Sequence, residues 1–545
     1  MLAVPPAKPG PTSMFKLVVP PAWLNARRYR SFAAFAVVLT FAGAVLVSWS
    51  WSDSIGDLGT DGCYYMLMAE HYSPLVRASA AASEAAASSR FPPVYPLTLA
   101  WLGAAPDLFR AHMLTTAMLL CALLVFGLWM IGQRLRTDSA ALIALCLALL
   151  PGTLNLALTI NSEFLYLLIS VLALTLIDIA RRSGRPALLL AAALAVALAS
   201  LTRTIGVCLF VPLVAVALHQ RSRGALLAML VGALPILEWH LLHRSTFGYA
   251  SIFSSSYQDN VLSGLIRQTG EEFPALRRGF EANFVTEGLA PALPVLPVHS
   301  VLGDLLGVAC LAALGQRACG LRTEALYLVA YLCLLVVWPF PEDAKRLLWP
   351  ALPLLLAQPL LVVREWPRFR AKFDSELQPV VLAAAAMLTM ATPAVAFAAE
   401  CYRDASFTHL PGAREYVGWY RLDRDSAADE VLTQSTEIAA IGRIQDEIPE
   451  QACVLATRPD FINYFANRRA ETPPPDSVPD PEFANLLRSS RCRFVFMSNV
   501  SDKLFPHPLH PLHRLNGPLH VLDYDREMAA PPRQGYALCI LAALD

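Results

Sequence analysis

The amino-acid sequence predicts an α-helical polytopic membrane protein with about eleven transmembrane helices and a small C-terminal α/β extracytoplasmic domain. Of its 545 residues, 56% are hydrophobic and only 16% are charged, and the mean hydropathy of +0.47 exceeds what one soluble core of this length requires. Apolar runs of about 17 to 25 residues, the length that crosses a bilayer as a helix, recur through the first 399 residues. After residue 400 the composition becomes polar, which marks a separate domain.

Each apolar run is interpreted as one membrane span. The two runs that flank Thr202-Arg203-Thr204 are short, and a single long broken helix there would change the topology of everything beyond it. The distribution of charge between loops argues against that alternative. The predicted spans lie near residues 31–52, 111–131, 139–158, 164–180, 187–201, 205–218, 225–243, 298–315, 324–340, 347–363 and 378–399.

Basic residues occur in every second loop, which the positive-inside rule places in the cytoplasm. Residues 1–30 then form a cytoplasmic tail and residues 31–399 the transmembrane domain, whose first span is a retained anchor rather than a cleaved signal sequence. The basic loops hold Arg27, Arg28, Arg30, Arg134, Arg136, Arg181, Arg182, Arg185, Arg221, Arg223, Arg317, Arg322 and the run from Arg364 to Lys372. The opposite loops are residues 53–110, 159–163, 202–204, 244–297, 341–346 and 400–545. The pattern predicts a bacterial inner-membrane protein whose candidate site and C-terminus face the periplasm.

The polar segment 400–545 predicts an α/β domain. Residues 452–457 and 493–497 are typical of buried strands, residues 459–468 of a helix between them, and residues 536–541 of a further strand. Cys453 and Cys492 each begin a predicted strand, so a disulfide between them is compatible with the pattern. The predicted extracytoplasmic segments, which face an oxidising compartment, hold five cysteines: Cys63, Cys401, Cys453, Cys492 and Cys539. This odd number leaves the pairing open.

Three carboxylates, Asp53, Asp57 and Asp61, follow the first apolar span directly. A carboxylate at the membrane surface can take a proton from an acceptor hydroxyl. The alternative is that Asp61 only caps a helix that starts at Gly62, because Asp is a preferred N-cap residue. Tyr64 and Tyr65 suit stacking on a sugar, although tyrosine is also enriched at membrane interfaces for its amphipathic ring, which is the favoured interpretation.

Two short motifs follow in the same loop. Asp61, Tyr65 and Ala69 form an Asp-x-x-x-Tyr-x-x-x-Ala pattern, and Pro92-Pro-Val-Tyr-Pro96 precedes the next apolar run. These motifs resemble those of the C-type superfamily of integral membrane glycosyltransferases, in the branch of protein mannosyltransferases and lipid A aminoarabinose transferases.

The resemblance implies roles for the carboxylates. Asp61 matches the loop acid proposed as the base, and Tyr65 shares its motif. Asp57 or Asp53 would orient the acceptor or bind a metal. A divalent metal is compatible with these acids, but no motif indicates one, and no metal ligand is assigned.

Arg203 is a lone cation between two apolar stretches, a placement that costs about 2.5 to 3.5 kcal/mol at mid-membrane and therefore implies a partner. The resemblance implies that Arg203 binds the donor phosphate. The alternatives are that it reaches the surface or pairs with an acid such as Glu163. Glu163 lies in a Ser-Glu context that recurs in these transferases and would position the loop or Arg203, although an acid at a helix start is also stabilised by the helix dipole.

Lys345 and Arg346 are positive charges on the extracytoplasmic side, against the general trend. The segment Arg346-Leu-Leu-Trp-Pro-Ala-Leu-Pro353 is similar to an Arg-Tyr-Leu-x-Pro-x-x-Pro segment of the same transferases, with Leu in place of Tyr. The resemblance implies that both cations hold phosphate. The alternative is that they neutralise Glu342 and Asp343.

Together these features predict a membrane glycosyltransferase that moves a sugar from a polyprenyl-phosphate donor to a lipid, glycan or protein acceptor, in contact with membrane lipids. A formal net charge of zero gives no reason to expect a nucleic-acid partner. One alternative is a transporter or flippase of lipid-linked glycans, which internal repeats would favour. The other alternative is a non-catalytic member of the same fold.

Overall fold

The computed structural model describes residues 59–246, 301–336, 344–365, 424–498, 519–525 and 539–544, with short gaps inside these ranges. The predicted spans at 31–52 and 378–399 lie outside the described residues, as do Asp53, Asp57 and most of the loop 244–297. The part described is mainly helical and carries one small C-terminal sheet.

Thirteen helices precede the C-terminal domain in the described ranges. They are α1 (Gly59–Tyr72), α2 (Ala80–Ser88), α3 (Val94–Trp101), α4 (Leu108–Gly132), α5 (Thr137–Ala148), α6 (Glu163–Ser183), α7 (Pro186–Thr202), α8 (Phe210–Gln220), α9 (Arg223–Thr246), α10 (Val301–Cys319), α11 (Thr323–Val336), α12 (Ala344–Leu348) and α13 (Leu352–Glu365), with a 3-10 helix at Thr204–Leu209.

Nine of the eleven predicted spans coincide with helices, although α5 ends at Ala148 and covers only the first half of the span predicted at 139–158. In the described ranges, α4 and α6 are long and apolar enough to cross a membrane by length and composition. The total number of spans stays a prediction.

Helix α6 shows how the two ends of the bundle differ. Its first residue is Glu163, its last turn holds Arg181 and Arg182, and Gly184 ends it in the left-handed conformation at φ +64°. Both sets of charges suit the helix dipole. Its 21 residues span about 30 Å, the thickness of the bilayer hydrocarbon. The acidic and the basic end of α6 therefore lie on opposite sides of one membrane thickness.

A buried ion-pair network closes the basic end of the bundle. Arg317 of α10 contacts Glu324 of α11 at 2.5 Å, and both side chains are 2% exposed. Glu365 of α13 lies 3.0 Å from Arg317 and 2.7 Å from Arg322. The three helices are thus joined at the end that the positive-inside rule assigns to the cytoplasm.

The chain breaks at Arg203, between the two short apolar runs that the sequence analysis interprets as separate spans. Helix α7 ends at Thr202, and Arg203 is extended at φ −147° and ψ 134°. Gly206 then lies so close to α7 that a Cβ there would be 2.6 Å from backbone atoms of Ala199 and Ser200. The missing side chain of Gly206 allows the turn that presents Arg203.

We expect Gly206→Ala to lower the free energy of unfolding by about 1 to 3 kcal/mol, because the added methyl meets backbone that cannot move aside cheaply. The melting temperature of the detergent-purified protein measures the effect. Gly315→Ala is the matched control, since nothing lies within 4 Å of a Cβ at that helical glycine. Equal melting temperatures for the two variants would contradict the steric explanation.

The C-terminal domain is an α/β unit, as predicted. Helix α14 (Arg424–Glu447) and helix α15 (Pro459–Phe465) accompany β1 (Cys453–Ala456), β2 (Arg469–Glu471), β3 (Phe494–Ser498), β4 (Leu519–Asp525) and β5 (Cys539–Leu544). The sheet order is β2-β1-β3-β5-β4. Strand β1 pairs in parallel with β2 and β3, whereas β5 pairs antiparallel with β3 and β4.

Several local predictions for this domain are corrected. The predicted helix 459–468 ends at Phe465, and its last residues lead into the three-residue strand β2. The strand predicted at 536–541 lies at Cys539–Leu544. The disulfide between Cys453 and Cys492, which the sequence pattern allows, is present. Cys63 and Cys539 are buried and outside this disulfide, and Cys401 lies outside the described residues.

The C-terminal domain packs on the first loop through small side chains. Tyr464 of α15 packs against Leu67 of α1 and against Ala82 and Ala85 of α2. Both alanines are fully buried, so the Ala/Ser segment, to which the sequence analysis assigns no chemistry, forms the seat of the domain. The domain therefore lies on the same side of the bundle as Asp61.

Candidate active site

Four predicted site residues from separate parts of the chain meet in one cluster. Arg346 Nε lies 2.6 Å from Glu163 Oε1, and its terminal nitrogen contacts the Asp61 carboxylate. Arg203 lies 2.7 Å from the same Glu163 oxygen. The order Asp61–Arg346–Glu163–Arg203 alternates in sign and sums to zero charge. The structure thus brings together α1, α6, the α7 turn and α12.

Glu163 is the buried centre of this cluster. Its side chain is fully buried, and Oε1 accepts from both arginines. Oε2 has no hydrogen-bond partner within the described part of the chain. A buried carboxylate costs several kcal/mol unless cations and hydrogen bonds compensate it, which explains the two guanidinium groups. The predicted alternative of an Arg203–Glu163 pair is confirmed.

Exposure separates the two acids. Asp61 is 21% exposed and Arg346 is 31% exposed, whereas Arg203 is 12% exposed and Glu163 is 0% exposed. Asp61 and Arg346 therefore form the accessible side of the cluster, and Glu163 lies behind them. Of the two acids, Asp61 is therefore the one that is accessible from solvent.

Asp61 does not cap a helix that starts at Gly62, so that alternative is wrong. Helix α1 begins at Gly59, and Asp61 lies inside its first turn. The helix dipole favours an acid at this position. The Asp61 carboxylate contacts Arg346.

Tyr65 lies one turn after Asp61 on α1 and is 2% exposed, so the favoured interfacial interpretation of this residue is wrong. Its hydroxyl is 3.0 Å from Ser162 Oγ, which also accepts a hydrogen bond from Arg203 at 3.0 Å. Burial, and then the charge of Asp61, raise the pKa of Tyr65, so the phenol stays protonated. Tyr65 thereby links the Asp61 helix to the Glu163 helix.

The second loop motif acts by packing. The Tyr65 ring meets Tyr95 edge-on at 4.9 Å and Phe91 at 5.1 Å between centroids. The Tyr95 hydroxyl forms a 2.7 Å hydrogen bond with Thr115 of α4. The Pro-Pro-Val-Tyr-Pro segment therefore fixes the position of α1 through its aromatic ring.

Arg346 is positioned by contacts of its neighbours in sequence. The Tyr331 hydroxyl donates to the Leu347 carbonyl at 2.5 Å, and Trp349 Nε1 donates to Thr153 Oγ1 at 3.0 Å. Trp349 also packs edge-on against Phe164, the residue after Glu163. The aromatic residues on either side of α12 thus hold Arg346 beside the start of α6.

Other predicted residues do not enter the described cluster. Asp53, Asp57, Glu342 and Asp343 lie outside the described residues, and nothing is described for the Lys345 side chain. Within the described part, Arg346 neutralises Asp61 and Glu163. The sequence analysis missed Ser162. Its position directly before Glu163 in the Ser-Glu pair is the signal that could have identified it.

One group of possible metal ligands lies in the C-terminal domain, but its two cysteines are already joined in a disulfide. Cys453, Glu471 and Cys492 lie close enough together to hold an ion. Both sulfurs are joined in the disulfide and offer no thiolate. We therefore propose no metal site at these three residues.

Comparisons with known proteins point to solved structures rather than to sequence relatives. No family model and no curated protein matches the chain. Similar solved structures are ArnT from Cupriavidus metallidurans bound to undecaprenyl phosphate and the same protein in the apo state. Their TM-scores are 0.47 and 0.44, each with 14% identity. The alignments cover 95% and 93% of this chain and 98% of each ArnT chain.

ArnT is an aminoarabinose transferase, the branch that the loop motifs resemble.

We expect Ser162→Ala to destabilise the protein by about 1 to 3 kcal/mol, because a buried hydroxyl that serves both Tyr65 and a charged Arg203 is lost. Thermal unfolding in detergent measures the change. Ser139→Ala is the matched control: that serine is equally buried, and its hydroxyl has no hydrogen-bond partner in the described ranges. A larger loss in the control would contradict the role of Ser162.

Proposed function

We propose that this chain is an integral membrane glycosyltransferase. It moves a sugar from a polyprenyl-phosphate donor to a hydroxyl group of a lipid, glycan or protein acceptor. The observation that carries the proposal is the convergence of the motif acid Asp61 with Arg346, Glu163 and Arg203 in one partly exposed cluster. A base and two phosphate-binding cations are the groups that this transfer requires.

The charges at the two ends of α6 support a periplasmic position for the cluster. Glu163 begins this helix and Arg181 and Arg182 end it, so the cluster lies opposite the basic end. The positive-inside rule then supports a periplasmic site. The C-terminal domain, which packs on α1 and α2, lies on that side as well.

The proposed reaction is a single displacement. The Asp61 carboxylate takes the proton of the acceptor hydroxyl while that oxygen attacks the anomeric carbon of the donor sugar. The bond from that carbon to the phosphate oxygen breaks, and the polyprenyl phosphate leaves with the electron pair. Arg346 and Arg203 stabilise the negative charge of the leaving phosphate. One displacement inverts the anomeric configuration.

In the structure both arginines already have carboxylate partners. A donor phosphate at Arg346 therefore replaces one of them. Asp61 is the one that leaves, because it is partly exposed and Glu163 is buried with a second arginine. Release from Arg346 turns the Asp61 carboxylate toward the acceptor. Donor binding thus prepares the base.

The positions of the polar residues do not favour a transporter. Transporters place substrate sites near the bilayer midplane on broken helices. In α6 and α7 the ionisable residues lie in the first turn or near the last turn of the helix, or just beyond its end. A surface site for chemistry fits this distribution better.

We expect Asp61→Asn to keep its fold and to lower transfer by about a hundredfold or more, the usual scale for removing a general base. Thin-layer analysis of radiolabelled polyprenyl-phosphate sugars, incubated with purified protein and membrane lipid, measures transfer. Glu70→Gln is the control on the same helix, because the amide oxygen of Gln can keep the hydrogen bond that Ser79 donates to Glu70. Near-normal turnover by Asp61→Asn would remove Asp61 from the mechanism.

We expect Arg346→Ala to weaken binding of undecaprenyl phosphate by about tenfold to a hundredfold, since a charge-assisted contact to phosphate is lost. Arg346→Lys should restore part of the affinity, because Lys keeps the charge but loses the bidentate fork. Equilibrium binding and the melting temperature are measured for each variant. Arg322→Ala, at the opposite end of the bundle, is the control. Unchanged affinity with a large loss of thermal stability would show that Arg346 is only a structural partner of the acids.

A further inference from the structure

A cavity with charged residues in its wall lies between helix α2 and the C-terminal sheet, outside the Asp61 cluster. Its volume is about 270 Å³. The charged residues in its wall are Glu84, Arg469, Glu471, Arg491 and Arg493, and Gln451, Ala452, Cys453 and Phe494 complete the lining. The proposed transfer does not use any of these residues.

The topology of the sheet brings the three arginines together. Strands β1, β2 and β3 are parallel, so their first residues lie at one edge. Arg469 is the first residue of β2 and is paired in register with Cys453, the first residue of β1. Arg491 and Arg493 directly precede β3, which pairs with the other side of β1. A disulfide between Cys453 and Cys492 ties this edge together, so the wall of the cavity is preformed.

The charges in the wall favour an anion. Three guanidinium groups face two carboxylates, which leaves one net positive charge. Arg469 pairs with Glu84 at 3.0 Å, whereas neither Arg491 nor Arg493 forms an ion pair within the described ranges. Burial raises the pKa of Glu84 against the opposing effect of Arg469.

The remaining lining suits a saccharide. Carboxylate and amide groups of Glu84, Glu471 and Gln451 can hydrogen-bond hydroxyl groups. Phe494 is half-buried and offers an apolar surface to a sugar ring. Guanidinium groups bind carboxylate and phosphate in a bidentate manner.

We propose that this cavity binds an acidic saccharide, one that carries a phosphate or carboxylate group. We infer that it holds the acceptor of the transfer at a distance from the reacting hydroxyl. The second part rests on the proposed function. Binding energy from a remote part of a substrate can orient its reacting part. In this way, the cavity would help to orient the acceptor hydroxyl.

The test is equilibrium binding to the full-length protein in detergent. The probes are trigalacturonate with maltotriose as its neutral match, glucose 6-phosphate with glucose as its match, and inorganic phosphate alone. We expect at least one acidic saccharide to bind tenfold or more tightly than its neutral match and than phosphate. The variant with both Arg491→Glu and Arg493→Glu should lose this binding at least tenfold. Arg443→Glu, an exposed arginine on α14 outside the cavity wall, should not.

Several outcomes would overturn the proposal. Equal binding of acidic and neutral saccharides, or an undiminished affinity of the double variant, removes the arginines as the recognition groups. Binding of inorganic phosphate as tight as that of glucose 6-phosphate shows an anion site with no saccharide specificity. Absence of binding by all probes removes the site itself.

The two proposals can fail separately. Asp61→Asn should bind the acidic saccharide with wild-type affinity, because Asp61 does not line the cavity. If the protein shows no transfer but the cavity binds, the saccharide site stands and the transferase proposal falls. If transfer occurs, the double variant should raise the KM for the acceptor and leave donor affinity unchanged, since only acceptor binding is weakened. An unchanged acceptor KM would separate the cavity from the reaction.

Discussion

The buried carboxylate of Glu163, bound by both Arg203 and Arg346, joins three segments of the chain that are far apart in sequence, and Arg346 adds a fourth through Asp61. Removing one partner of a buried ion pair costs about 3 to 5 kcal/mol, because the remaining charge is left uncompensated. The start of α6, the turn after α7 and the short helix α12 must therefore all be in place for the cluster to exist. The tyrosine and tryptophan contacts around it serve that placement.

The same constraint gives the cluster its chemical character. Two acids neutralise two arginines, so these four side chains together carry no net charge. Asp61 contacts Arg346 and is partly exposed, whereas Glu163 contacts both arginines and is buried. In the proposed reaction, the donor phosphate replaces the more exposed carboxylate, which is that of Asp61. In this interpretation the buried acid is the anchor and the exposed acid is the reactive group.

The first loop has a second role as the support for the C-terminal domain. Ala82 and Ala85 present almost no side chain, which lets Tyr464 approach α1 and α2 closely. Glu84 on the same helix reaches across to Arg469. A low-complexity Ala/Ser segment therefore forms a junction because its residues are small, and helix α1 is packed from both sides. The composition of the Ala/Ser segment alone does not indicate this contact, because small side chains allow close packing only where another segment of the chain lies against them.

The sequence alone determined where most of the long apolar helices lie, because long apolar runs have no other stable arrangement in a membrane. It also marked Asp61, Glu163, Arg203 and Arg346, because charges beside apolar runs are costly and need a reason. Only the tertiary structure decided which charges pair: Asp61 and Arg346 are 285 positions apart, and no local pattern encodes a contact at that separation. It also decided that Tyr65 is buried, that Ser162 bridges two helices and that Arg469, Arg491 and Arg493 share one edge of a sheet. Each of these depends on the packing of segments distant in the chain.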